Sequence, residues 1–367
     1  MSNNSSARGA LVKKYSRVLI LLAITLILVL VADLTVDSYV RRILNLCAIY
    51  TILGLSMNLV NGFTGLFSLG QAGFMAVGAY CVAIFTVPVE SRAAVFYLSP
   101  QAPWLANIQL PFVVALVLGG AVSAIIAFLI GAPVLRLKGD YLAIATLGFS
   151  EIIRIIFTNT QSITNGALGI KNIPTISSLW WTFTIAILVI IFMFLLINST
   201  YGRAFKAIRE DQIAAEAMGI NLFKHKVLSF MIGAFLAGIG GGLFAALLGT
   251  VDPKQFYFTL TYNFLLIIVL GGMGSISGTI ISAFIVTAGL EWLRWLDESV
   301  VLFGWEIPIF RPGLRMVVFS LLLMGIVLFW SRGLMGNKEL SWNMVMSWRK
   351  KTLSFFKKKL AKGGAAK

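Results

Sequence analysis

The sequence predicts an all-α polytopic membrane protein of about ten transmembrane helices, with both termini on the cytoplasmic side. Three observations lead there. Of the 367 residues, 59% are hydrophobic and only 12% charged, where a soluble domain carries roughly 25% charged residues. Apolar runs long enough to span recur along the chain, and a helix needs about 20 such residues to cross the hydrocarbon core. The basic residues gather between those runs: residues 1–17 hold four Lys/Arg, 203–226 hold five and 331–367 hold ten of the 30, the bias of cytoplasmic segments. The net charge of +16 therefore reports orientation in a membrane, and no nucleic-acid partner is expected.

The elements follow in order. Residues 1–17 are basic, and no small-residue cleavage site follows the apolar run Val18–Ala32, so 18–36 is predicted to be a first helix that stays as an anchor. The run from Ile43 to Val87 is too long for one crossing and is predicted to split near Asn61–Gly65, where the sequence reads NGFTG. Single spans are predicted at 111–135, 141–158, 179–198, 226–249 and 313–330. The run from Phe256 to about Leu290 is again too long. Parity decides how to divide it. If the 203–226 loop and the C-terminal tail are both cytoplasmic, an even number of crossings separates them, and two helices meeting at Gly271–Gly278 (GGMGSISG) satisfy this. The short loop Arg136–Asp140 then lies inside, and the Lys/Arg-poor loops 88–109 and 159–178 lie outside. The two split points are alike, each a glycine-rich turn followed by small residues, which suggests two related halves. The resulting plan is a cytoplasmic N-terminus (1–17), a membrane domain (18–330) and a basic cytoplasmic tail (331–367).

No catalytic constellation stands out. The chain lacks GxxxxGK[ST], HExxH and GxSxG patterns, so no enzyme and no bound cofactor are expected, and ATP, if it powers the protein, is used by a partner. One histidine, His225, and two cysteines in apolar runs, Cys47 and Cys81, offer no metal-ligand cluster. Glu151 and Arg154 sit inside a predicted span three residues apart, on one helix face. They either neutralise each other or take part in gating or substrate passage.

Two segments carry the functional signal. In Gly54–Tyr80, Asn58, Asn61, Ser68 and Gln71 add polar groups among Gly62, Gly65, Gly70, Gly73 and Gly78. Such a stretch either packs helices closely or opens a polar path for a small zwitterion, and the two uses are compatible. Asn58, Asn61, Gly62, Gly65, Ser68, Gln71 and Glu151 are the candidate path residues. In Tyr201–Lys226, five Lys/Arg and three Asp/Glu are interleaved with small residues between two apolar spans. A helix over about Arg203–Met218 would carry Arg209, Glu210 and Asp211 near its start, with Ala214, Ala215 and Gly219 leaving a shallow face for a partner's groove. The tail alternates Trp342, Trp348, Phe355 and Phe356 with lysines, a pattern that suits an amphipathic helix on anionic membrane lipid or a disordered basic tail.

The stretch AIREDQIAAEAMGINLFKHKVLSF resembles the cytoplasmic coupling loop of ABC importer permeases. The family's form there is Glu-Ala-Ala, three residues, then Gly; here Ile213, Ala214 and Ala215 precede Gly219. Isoleucine stands in place of the glutamate, so that glutamate's role does not carry over. LSMNLVNGFTGLFSLGQAGFMAVGAY, RLKGDYLAIATLGFSEIIRIIF and IIVLGGMGSISGTIISAF are similar to branched-chain amino acid permeases of the LivM type, and the resemblance covers roughly residues 40–335. It implies a permease subunit of the inner membrane that pairs with a second homologous permease chain and docks two ABC ATPase subunits. It also implies a periplasmic binding protein that delivers leucine, isoleucine or valine. Urea or short amides are alternative substrates within the class, and a secondary transporter is the alternative outside it. The scarcity of membrane-embedded carboxylates argues against ion coupling.

Overall fold

The computed structural model describes residues 33–137, 139–297, 301–302, 305–306, 313–329, 333–336 and 339. The predicted first span 18–36 lies almost entirely outside these residues, as do most of the basic tail and its aromatic residues. Twelve α-helices longer than one turn organise the described residues. They are α1 Ser38–Met57, α2 Gln71–Thr86, α3 Val89–Val95, α4 Phe112–Val134, α5 Asp140–Asn159 and α6 Leu179–Asn198. After these come α7 Thr200–Glu210, α8 Gln212–Ala217, α9 Leu222–Leu248, α10 Phe258–Gly271, α11 Ile276–Trp292 and α12 Leu314–Phe329. The one departure from helix among the described elements is a two-residue antiparallel pair, Val301–Leu302 with Trp305–Glu306.

Among the described residues, five helices are long and apolar enough to cross a bilayer: Ser38–Phe63, Phe112–Val134, Asp140–Asn159, Leu179–Asn198 and Leu222–Leu248. α2 becomes a sixth if α3 is counted with it across a 118° bend. The bend falls at Val87–Pro88 because proline has no N–H to donate and disfavours helix at the residue before it. α10 and α11 have 14 and 17 residues. At 1.5 Å per residue they are about 21 and 26 Å long, short of a hydrocarbon core of about 30 Å.

Both long apolar runs divide where the glycines stand. α1 ends in a π-helical turn, Asn58–Phe63, and Gly65 takes φ +72° before α2 begins at Gln71. α10 stops at Gly271, and Gly272 and Gly274 take φ +104° and +89° before α11. In that turn Ser275 caps α11 by accepting the Gly278 N–H at 3.0 Å.

α9 runs through the centre and packs against α1, α2 and α4. Glycine makes this possible, because without a strong hydrophobic drive in lipid, helices associate through close backbone contact. A methyl group at Gly78 of α2 would collide with the Gly238 backbone of α9, and one at Gly241 of α9 would collide with the Met75 carbonyl of α2. From α4, Ser123 donates to the Phe74 carbonyl at 3.1 Å. α4, α5 and α6 present much of their remaining surface outward, including Leu129, Ile144, Leu188 and Leu195, as suits helices wetted by lipid.

The loop 88–109 is organised by one side chain. Arg92 is 5% exposed. Its Nε donates to the Val87 carbonyl at 3.2 Å, its Nη1 to the Leu105 and Ala106 carbonyls at 2.5 and 3.0 Å, and its Nη2 to the Ile108 carbonyl at 2.6 Å. A buried charge is costly unless hydrogen-bonded, and here backbone oxygens supply the bonds. The loop 159–178 is likewise built rather than loose. Asn165 donates to the Val95 and Gly169 carbonyls at 3.0 and 2.7 Å, and Ile170 pairs with Val251.

Candidate functional site: the α7–α8 segment and the helix breaks

The charged segment between α6 and α9 forms two helices rather than the single one expected over Arg203–Met218. Ser199 caps α7, accepting the Gly202 N–H at 3.4 Å. Ala204, Phe205 and Ile208 form its buried face, and the Phe205 ring lies edge-on to His225, 6.3 Å between centroids. The helix stops at Asp211, which adopts extended backbone, φ −156° and ψ 118°, and accepts the Ile213 and Ala214 N–H groups at 2.8 and 3.0 Å. Aspartate serves better as an N-cap than in a helix interior, so a new helix begins there. Arg209 and Glu210 thus end α7 instead of lying near the start of a longer helix, and Asp211 starts α8.

α8 closes with Gly219 at φ +83°, the Gly219 N–H on the Glu216 carbonyl at 2.9 Å and the Ile220 N–H on the Ala215 carbonyl at 3.1 Å. These two hydrogen bonds around a left-handed residue make a Schellman stop. A side chain at Gly219 would meet open space, so its backbone angle rather than crowding calls for glycine. Of the small residues expected on a docking face, Ala214 is exposed and Ala215 is buried at 3%. Ile213 and Met218 stand out instead, at 81% and 82% exposed. The signal for Ile213 was visible as an isoleucine at the glutamate position of the motif. Behind α8, Lys226 Nζ donates to Gln212 Oε1 at 2.7 Å, tying the segment to α9.

Arg209 turns inward. Its Nη1 donates to the Gly62 carbonyl at 3.1 Å, while Nε and Nη2 hold Glu210 Oε1 at 3.1 and 2.6 Å. Beside it lies a cavity of about 310 Å³ lined by Phe63, Lys206, Arg209, Gly274, Ile276 and Glu339 among others. Glu339 accepts the Ile276 and Ser277 N–H groups at 2.6 and 3.0 Å, a carboxylate on the positive end of α11.

Six of the seven candidate path residues sit at the α1–α2 break, and their polar side chains bond to backbone or to the Ser56 and Thr279 hydroxyls. Asn58, fully buried, accepts the Gly274 N–H at 2.8 Å and donates to the Ser275 carbonyl and Thr279 Oγ1 at 3.0 and 2.8 Å. Asn61 closes a ring with Ser68, donating to its carbonyl at 3.1 Å and accepting its N–H at 3.3 Å. Gln71 donates to Ser56 Oγ. Two hydroxyls with no distinguishing mark in the sequence complete the set. Thr146 of α5 accepts the Leu69 N–H at 2.9 Å, and Thr261 of α10 accepts the Ala72 N–H at 3.2 Å. Backbone groups freed by a break must find partners in a membrane, and these residues supply them. A lone threonine in an apolar helix gives no hint of this, because its partner lies 77 or 189 residues away.

Glu151 and Arg154 pair at 2.7 Å. The second oxygen of Glu151 accepts the Phe258 N–H at 3.2 Å, and the Arg154 guanidinium lies over the Tyr257 ring, 4.3 Å from its centre. The pair therefore holds the start of α10 against α5, apart from the breaks.

Residues 39–329 match the family model described as branched-chain amino acid transport system / permease component. The chain belongs to this family. It is 36% identical over 315 residues to the high-affinity branched-chain amino acid transport system permease protein LivM of Salmonella typhimurium, covering 73% of this chain and 70% of that protein. With LivM of Escherichia coli K12 it shares 36% identity over 321 residues, 75% and 71% of the two chains. Escherichia coli LivH is 25% identical over 256 residues, 65% and 79% of the chains. No solved structure matches. As a permease component the chain is a transport subunit, not an enzyme. Both helix breaks and the α7–α8 segment fall within the family match.

Proposed function

We propose that this permease is the membrane subunit of an ATP-binding-cassette importer that moves leucine, isoleucine and valine across the bacterial inner membrane by alternating access. ATPase subunits dock on α7–α8 and hydrolyse the ATP; the permease itself binds no cofactor. A second, LivH-like permease chain completes the membrane domain, and a periplasmic binding protein delivers substrate. The topology has about ten helices in two related halves, with α7–α8, the N-terminus and the lipid-facing basic tail in the cytoplasm. The observation that carries the reading is the α7–α8 segment itself. A short capped helix pair between two full-length apolar helices presents Ile213 and Met218 outward, and large exposed apolar side chains on an otherwise charged surface suit a partner's pocket.

The test is co-purification of the detergent-solubilised chain from its own cells, then uptake by the reconstituted complex. An ATPase and a second permease should accompany it, and labelled leucine should enter vesicles only with ATP and binding protein. Gly219→Arg forces a bulky residue into a left-handed conformation and should release the ATPase and abolish uptake while the chain stays in the membrane. Normal uptake by that variant would sink the docking reading. Uptake of urea in place of leucine would assign the protein to the short-amide permeases.

A further inference from the structure

The α7–α8 segment has an inner side as well as an outer one, and the inner side reaches both helix breaks through Arg209. The first contact is at the α1–α2 break, where Nη1 donates to the Gly62 carbonyl at 3.1 Å. The stem of the same side chain lies flat on Gly65: a Cβ there would sit 2.9 Å from Arg209 Cγ and 3.1 Å from its Cα. The second contact is at the α10–α11 break, where a Cβ on Gly274 would sit 2.6 Å from Arg209 Nη1. Gly65 and Gly274 both hold positive φ, +72° and +89°, so each is glycine for its backbone angle and for the room it leaves this arginine.

The two breaks are also joined to each other. Asn58, one turn before Gly62, accepts the Gly274 N–H and donates to Ser275 and Thr279. Arg209 thus touches a preassembled unit made of both breaks. A charged donor on a carbonyl makes a stronger bond than a neutral one, and the guanidinium is held from the other side by Glu210. At a break, backbone is not locked into a continuous helical ladder, so it can change angle at lower cost than helix interior.

We propose that Arg209 is the positioning residue through which displacement of α7–α8 is passed to both helix breaks at once. The inference rests on the importer reading. On this account Arg209 contributes little to gripping the ATPase and much to what its movement accomplishes. The fixed lever is the guanidinium on Gly62; Asn58 carries the same displacement across to Gly274.

The experiment uses the full reconstituted complex and reads leucine imported per ATP hydrolysed, together with ATPase co-purification. Arg209→Ala should still co-purify with the ATPase, while its uptake-to-hydrolysis ratio falls about 5- to 150-fold, the range of coupling between distinct sites. Arg209→Lys, which keeps a charged donor for the Gly62 carbonyl, should recover part of the ratio. Gly274→Ala, which displaces the guanidinium while Arg209 remains, should lower it as well, and this variant with Arg209→Lys carries the test if Arg209→Ala fails to accumulate. An unchanged ratio in Arg209→Ala or Gly274→Ala would overturn the proposal. So would a lysine variant no better than alanine, or loss of the ATPase from Arg209→Ala as from Gly219→Arg, which would make Arg209 a docking residue. A wild-type complex that carries no ATPase would instead sink the importer reading, and this inference with it.

Discussion

Glu151 and Arg154 show how a charged pair inside an apolar helix can be read two ways until its neighbours are known. The spacing foretold the pair, and the helix delivers it at 2.7 Å. What decides its work is Tyr257 and Phe258, more than a hundred residues away, stacked on the cation and bonded to the carboxylate. The pair therefore acts as a clasp for the start of α10. Glu151→Gln, which keeps the shape but removes the charge, should lower stability by about 0.5–1.5 kcal/mol, the worth of a typical hydrogen bond in a partly screened setting. It should leave the preference among leucine, isoleucine and valine unchanged. Thermal unfolding in detergent and competitive uptake check the two halves of this expectation, and a changed substrate preference would move Glu151 into the translocation path. Asn58 is the opposite case. Its polarity within an apolar run was legible as a sign of importance, but not its bonds to Gly274 and Thr279, since no local pattern reveals a partner 216 or 221 residues distant.

At the scale of elements, the glycine-rich stretches were legible because glycine has few reasons to recur inside apolar helices other than a break or a close approach. Both uses occur. Gly65, Gly272 and Gly274 mark the breaks, Gly78 and Gly241 let α2 and α9 meet backbone to backbone, and Gly238 makes room for Ser123 and Gly119 of α4. Gly241→Leu should prevent the chain from accumulating as a folded membrane protein. Overpacking typically costs about 1–3 kcal/mol, and here the obstacle is the Met75 backbone rather than a side chain that can turn aside. Quantitation of membrane-extracted, monodisperse protein tests this; a well-folded Gly241→Leu variant would mean that the two helices are less closely apposed. The division of the charged segment at Asp211 was not legible. An aspartate in a run such as AIREDQIAAEA fits an exposed helix surface and a cap equally well, and only the extended backbone at that residue decides for the cap. The spacing of Ala215 and Gly219 suggests one smooth face, whereas α8 turns the first inward and uses the second to stop the helix.

For the whole molecule, the proposed topology makes a direct claim about which end of the bundle faces out. Tyr97, in the loop that Arg92 organises, and Ile213, on α8, are both well exposed, and the parity of crossings places them on opposite sides. The native Cys47 and Cys81 are buried and should stay silent to a thiol reagent. In intact spheroplasts Tyr97→Cys should react with a membrane-impermeant maleimide, and Ile213→Cys should react only after permeabilisation. Labelling in the reverse order would invert the orientation, and equal labelling would remove an odd number of crossings between the two residues. The apolar runs from 111 to 249 were legible to within a few residues, because lipid demands continuous apolar length. The count of complete crossings was less so, because α10 and α11 are each shorter than a membrane is thick.

The cage around Arg92 has a consequence for the surroundings in which the protein works. Its acceptors are backbone and side-chain amide oxygens, which do not ionise, and a guanidinium keeps its proton throughout the range that living cells meet. Burial lowers the Arg92 pKa, but a guanidinium starts so high that these contacts stay charged at ordinary acidity. In the proposed topology this loop faces outward, and there these contacts would hold in sour and alkaline surroundings alike.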